Sequence, residues 1–119
     1  MNKQTRLKVF EKYDGYCAYC GNELELNKMQ VDHIKPRRTG GTNDIDNLHP
    51  SCARCNHYKR ASGIEPFREL LKTLHERVRG EYICKVAEDY GIIEVKEWDG
   101  KFYFERVEAG RSEATQIQG

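Results

Sequence analysis

The chain has 119 residues, enough for one domain, with 38% hydrophobic and 33% charged residues, the balance of a protein with a thin core. No stretch approaches the length of apolar residues needed to cross a bilayer, and the polar opening Met1-Asn2-Lys3-Gln4-Thr5-Arg6 lacks the apolar run of a secretory leader. No membrane role is expected, and a cytoplasmic, reducing location is, where cysteine pairs are metal ligands more often than disulfides. Net charge is only +1, but residues 1–63 hold 11 Lys and Arg against 7 Asp and Glu, whereas residues 64–119 hold 9 against 12. The basic half is where a polyanion would dock.

Thr5 to Tyr13 predicts a short helix with Leu7, Phe10 and Val9 inward, closed by Asp14-Gly15. Cys17-Ala18-Tyr19-Cys20-Gly21 has the form of a metal knuckle, a tight turn whose two thiolates converge. Met29 to Ile34 predicts a strand with Val31 and His33 on one face and Asp32 on the other, stopped by Pro36. A polar loop with Gly40-Gly41 follows, then a second strand over Asn47 to Pro50. The second knuckle, Cys52-Ala53-Arg54-Cys55, opens a helix running to Arg60.

Beyond Gly63, Pro66 introduces a helix whose Phe67, Leu70, Leu71, Leu74 and Val78 keep the i, i+3, i+4 spacing, and Gly80 ends it. Glu81 to Tyr90 predicts another helix, with Cys84 as a buried free thiol. Ile92 to Trp98 and Lys101 to Val107 flank Asp99-Gly100, the signature of a two-residue hairpin turn. The expected organisation is thus a metal-bearing core over residues 1–63, a helical segment and β-hairpin over 64–107 packed on it as one domain, and a mobile tail over 108–119.

The two CxxC pairs lie 31 residues apart and share one spacing. Cys17, Cys20, Cys52 and Cys55 can complete the four-coordinate shell of a structural Zn²⁺, leaving no open position for chemistry. A redox pair or an iron–sulfur site are the alternatives. Metal binding in small zinc domains contributes on the order of 10 kcal/mol to folding. Among the histidines, His49 is read as structural, packing near the zinc, and His75 as an exposed helix residue.

Taken together, CxxCG at Cys17, Asp32-His33-Ile34 with Pro36, Gly40-Gly41, Asn47-Leu48, CxxCN at Cys52 and the following Lys59 occur in an order that resembles the HNH endonuclease family, in particular its members with a four-cysteine zinc site. The resemblance covers roughly Val9 to Gly63. It implies an α+β fold: a small ββα-metal (His-Me finger) core with a structural zinc knuckle pair, followed here by helices and the C-terminal hairpin. It also implies a metal-dependent endonuclease acting on double-stranded DNA, met at the minor groove and leaving 5′-phosphate and 3′-hydroxyl ends.

By the same resemblance His33 is the general base, Asn47 orients the loop and the His33 ring, and Asp32 and Asn56 hold a catalytic Mg²⁺ or Mn²⁺. Many members carry His directly after the last cysteine. Here Asn56 stands there and His57 follows, so His57 is the alternative ligand. Hard cations prefer the oxygens of Asp32 and Asn56. Arg37, Arg38, Lys59 and Arg60 are expected on DNA phosphates, which positions a duplex without reading its sequence. One site cuts one strand, so weak sequence preference and nicking are expected, with double-strand cleavage needing a homodimer or a partner subunit. A zinc-stabilised binding module without cleavage is the competing reading.

Overall fold

The computed structural model describes residues 1–118, and side chains as far as residue 112. The chain divides into two compact units, one built from Met1–Gly63 and Lys101–Gly119, the other from Ile64–Gly100.

In the first unit, α1 spans Lys3–Glu11 and is capped by Asn2, whose side-chain oxygen accepts from the Thr5 N–H at 2.8 Å. Asp14 and Gly15 both take positive φ and turn the chain out of the helix, as their sequence promised. Val9 rather than Leu7 is the innermost residue of α1: Val9 is fully buried, whereas Leu7 is 43% exposed. Strands β1 (Gln30–His33) and β2 (Leu48–Ser51) pair antiparallel, with Asp32 opposite His49 and His33 opposite Leu48. Helix α2, Ala53–Lys59, follows directly, giving a ββα arrangement.

Val9, Met29 and Leu48 form the aliphatic core, with Phe10, Leu24 and Val31 packed around it. A second, aromatic layer gathers Tyr13, Tyr19, His49, Phe102 and Phe104, with the His49 and Phe104 ring centroids 4.5 Å apart. Helix α6, Tyr103–Gln118, closes this layer. The Tyr103 and Phe104 N–H groups donate to the carbonyls of Tyr19 and Ala18, at 3.1 and 2.8 Å. Tyr13 donates to Glu108 at 2.7 Å, and Arg111 reaches the Lys12 carbonyl at 3.1 Å.

The second unit contains α3 (Ile64–Lys72), α4 (Leu74–Gly80) and α5 (Tyr82–Asp89). The single helix expected through Val78 is broken at Thr73. There the hydroxyl bonds back to the Leu70 carbonyl at 3.2 Å, and the backbone sits at φ −98, ψ 0. Cys84 on α5 is a free, half-buried thiol rather than a fully buried one.

The expected C-terminal hairpin is not formed. Gly100 does turn the chain with φ +86, but residues 92–98 make no strand and residues 103–107 are helical. Phe102 and Phe104, inside the stretch expected as the second strand of the hairpin, instead serve the aromatic layer. Their segment gives its N–H groups to the first knuckle, and Glu105 caps the new helix by accepting from the Phe102 N–H at 2.9 Å. Packing has overridden β-propensity, which is chiefly a statement about side-chain environment. Residues 101–107 accordingly join the first unit, and the stretch expected as a mobile tail continues α6 as far as Gln118. Among the described residues no helix is long and apolar enough to cross a membrane.

The loop between the strands depends on one glycine. A Cβ on Gly41 would lie 1.8 Å from the Lys35 carbonyl oxygen, a backbone atom that cannot swing aside. Gly41→Ala should therefore destabilise the protein by about 1–3 kcal/mol in urea unfolding. Gly110→Ala, at a helical position with nothing within 4 Å of the added carbon, should be neutral or stabilising.

Candidate active site and metal centre

The four knuckle cysteines are brought together: their sulfurs lie within 4.8 Å of one another. Cys17 to Gly21 is closed by the Gly21 N–H donating to the Cys17 carbonyl at 3.0 Å, and the second pair begins α2 with Cys52 as its N-cap. The N–H groups of Cys52 and Cys55 point at the sulfurs of Cys17 and Cys52, both at 3.4 Å. Cys20 Sγ and Cys52 Sγ are 3.8 Å apart. A thiolate tetrahedron with metal–sulfur distances of about 2.3 Å has edges of about 3.8 Å, so the donor set and its spacing fit a tetrahedral ion. Hydrogen bonds from Cys20 and Cys55 hold the Cys17 thiol far below its usual range, and the contact with Cys17 pushes Cys20 up to about 11. A bound cation relieves this competition by favouring the thiolate at every sulfur.

Next to this centre, Asp32, His33 and Asn56 line one cleft of about 300 Å³, edged by Arg37, Arg38 and Arg60. Strand alternation turns Asp32 inward and leaves His33 half-exposed. The three arginines are exposed, and Arg38 is anchored by donating to the Ala61 carbonyl at 2.8 Å. His57, one residue along α2 from Asn56, is exposed and does not line the cleft. A rotation of about 100° per helical residue separates the two.

Asn47 holds the loop through three bonds. Its Oδ1 accepts from the Lys35 N–H at 2.8 Å, and its Nδ2 donates to the carbonyls of Lys35 and Thr42 at 3.1 and 2.8 Å. In that loop, Asn43 Oδ1 lies 2.8 Å from His33 Nε2, a contact that Asn47 itself does not make. Nothing in the polar run Thr42-Asn43-Asp44 singles that residue out beforehand.

Lys59 requires a correction. It was expected on DNA phosphates, yet its side chain is 1% exposed and its Nζ lies 2.9 Å from Asp32 Oδ2. The ammonium also donates to the His33 and Ser62 carbonyls, which satisfies the charge within the fold. The Tyr19 hydroxyl donates to the same Asp32 oxygen and lies 3.1 Å from His49 Nδ1. The bonds of Lys59 and Tyr19 both fall on Oδ2, and neither group bonds Oδ1. Asp32 and Asn56 both line the cleft and both carry side-chain oxygens, a donor chemistry that fits a hard divalent cation.

His49 is structural, as expected: it is 2% exposed and packed among Tyr13, Tyr19 and Phe104. Burial first, then the positive charges of Lys12 and Lys59, push its imidazole down from 6.5 to about 3, so it is neutral in the folded protein. As pH falls from 6.5 toward 3 the unfolded chain takes up a proton at this residue and the folded one does not, so stability is lost on acidification. Between pH 7 and pH 5 the wild type should lose about 2 kcal/mol more than His49→Phe, read from denaturant unfolding at the two pH values.

Comparisons with known proteins match the segment that carries the two knuckles and the ββα arrangement. The family model described as HNH endonuclease matches residues 17–62. The chain is 38% identical over 63 residues to the CRISPR-associated endonuclease Cas9 of Corynebacterium diphtheriae, an overlap covering 52% of this chain and 6% of that protein. It is 38% identical over 56 residues to the Cas9 of Actinomyces naeslundii, covering 46% and 5%. The crystal structure of the Type II-C Cas9 enzyme from Actinomyces naeslundii superposes with a TM-score of 0.51 at 31% identity, covering 64% of this chain and 10% of that one. The chain thus spans only a small part of these relatives. The matched segment runs from the first knuckle through both strands and α2, so residues 17–62 are the part of this chain that is similar to the HNH endonuclease family.

Proposed function

We propose that the chain is a metal-dependent endonuclease that hydrolyses phosphodiester bonds in double-stranded DNA. The observation that carries this reading is the convergence of Asp32, His33 and Asn56 on one cleft edged by three arginines. His33 serves as the general base. Asn43 Oδ1 accepts from its Nε2–H, which leaves the Nδ1 lone pair to take the proton of the attacking water. Asn47 keeps the loop that carries Asn43 closed, and so acts on the base through the backbone.

Asp32 and Asn56 would hold Mg²⁺ or Mn²⁺, and the bound cation would supply Lewis-acid stabilisation of the phosphate and the leaving oxygen. Exposed Arg37, Arg38 and Arg60 neutralise backbone phosphates, fixing position without reading bases. Cys17, Cys20, Cys52 and Cys55 would hold a structural Zn²⁺. One such site cuts one strand per encounter, so the expected product is a nick with 5′-phosphate and 3′-hydroxyl ends. Cutting both strands would take a homodimer or a partner subunit.

The second reading, a zinc-stabilised module that binds without cleaving, draws support from the 64–100 unit, where Tyr82, Ile83, Tyr90 and Ile92 are each at least 76% exposed. Supercoiled plasmid separates the two. Nicked circles that require Mg²⁺ or Mn²⁺ are expected, and intact plasmid at high protein concentration would favour the binding module.

In that assay His33→Ala should lower the cleavage rate by about 10²–10⁴ with fold and metal content retained. Asn56→Ala should abolish Mg²⁺-dependent nicking, and His57→Ala should leave most of it. The reverse order would make His57 the ligand and point to a softer cation than Mg²⁺. Elemental analysis should find one zinc per chain, and Cys55→Ser should be unfolded or insoluble. A folded, active Cys55→Ser protein without zinc would remove the structural role of the knuckles.

A further inference from the structure

Tyr19 lies between the two cysteines of the first knuckle, yet its side chain ends at Asp32, in the neighbouring cleft. It is 4% exposed, and its ring is packed edge-on against His49 and Phe102. The hydroxyl has one proton, which it gives to Asp32 Oδ2, so it must accept at its lone pair from the Nδ1–H of His49. Lys59 Nζ holds the same carboxylate oxygen from α2. The Tyr19 carbonyl is meanwhile held by the N–H of Tyr103 at the start of α6. Each part of Tyr19 is therefore fixed: the backbone by the knuckle and α6, the ring by the aromatic layer, the hydroxyl by His49.

We infer that Tyr19 is a positioning residue that couples the four-cysteine centre to the catalytic cation site, holding the Asp32 carboxylate so that a single oxygen is presented to the cation. The inference rests on the proposed reading of Asp32 as a cation ligand. Tyr19 touches neither substrate nor cation and acts only through Asp32. It works together with Lys59, which fixes the same oxygen and offsets part of the carboxylate's charge. A carboxylate free to rotate would have to be ordered each time a cation bound. One pinned from behind is ordered already, and loss of such outer partners typically costs about 10–100-fold in metal affinity.

The test measures Mn²⁺ binding by electron paramagnetic resonance on the zinc-containing protein without DNA, together with the Mg²⁺ dependence of plasmid nicking. Tyr19→Phe removes one hydroxyl. It should weaken Mn²⁺ binding by about 10–100-fold and raise the Mg²⁺ concentration for half-maximal nicking to match, with kcat at saturating Mg²⁺ far less affected and one zinc retained. Val9→Ala, a core variant with no bond to Asp32, Lys59 or Tyr19, controls for lost stability and should keep wild-type Mn²⁺ affinity.

If Tyr19→Phe loses its zinc, His49→Phe carries the test instead, since it leaves the Tyr19 hydroxyl in place but unanchored and should weaken Mn²⁺ binding several-fold. Wild-type Mn²⁺ affinity in a folded Tyr19→Phe, or equal weakening in Val9→Ala, would overturn the coupling while leaving the cation site standing. An Asp32→Ala protein that binds Mn²⁺ as well as wild type would instead overturn the cation reading of Asp32, and the coupling with it.

Discussion

The convergence of Cys17, Cys20, Cys52 and Cys55 within 4.8 Å is the constraint on which the rest of the molecule hangs. The aliphatic core is only Val9, Met29 and Leu48 with a half-buried fringe, and a core that small does not hold a domain of this size by hydrophobic burial alone. Joining Cys17 to Cys52 brings both ends of the ββ segment to one point. The strands then have nowhere to lie but against each other, and α2 must start at the closure, because Cys52 is both a ligand candidate and the cap of that helix. The cleft is the space left between β1, the loop and α2 once that geometry is imposed.

Behind the cleft lies a buried charge pair that costs desolvation on both sides. Asp32 and Lys59 have side chains only 7% and 1% exposed, and burying such a pair is rarely a source of net stability. Its retention is better explained by what it orders. Lys59 spends its remaining donors on the His33 and Ser62 carbonyls, so one ammonium ties together the strand bearing His33, the inward carboxylate and the end of α2. The neutral His49 completes the set by offering a proton to Tyr19 without adding another buried charge. The four-cysteine cluster and the cleft lined by Asp32, His33 and Asn56 are thereby built on one small scaffold.

The 64–100 unit stands apart in character. Phe67 in this unit is buried but Tyr82, Ile83, Tyr90 and Ile92 are open, whereas in the first unit Tyr13, Tyr19 and Phe102 are buried. The division of labour is consistent: the first unit carries all the residues of the candidate site, and the second carries none of them.

The amino-acid sequence by itself determined the parts whose information is local or is carried by ligand chemistry. Knuckle spacing, the Asp14-Gly15 stop, the strand alternation of Asp32 and His33 and the Cys52 helix start are each decided by a few consecutive residues, and each appears where the pattern puts it. The tertiary structure alone decided matters that depend on what lies across the fold. Phe102 and Phe104 read as a strand until the aromatic layer claimed them, and Lys59 read as a surface cation until Asp32 faced it. Asn43 rather than Asn47 met the His33 ring because loop closure, not residue type, chose which amide came within reach. Tyr19 looked like part of a knuckle, and its bond to Asp32 existed nowhere in the local pattern. Backbone preferences and metal spacing are properties of neighbours in the chain, whereas a buried partner is a property of the folded neighbourhood, which no short window of sequence contains.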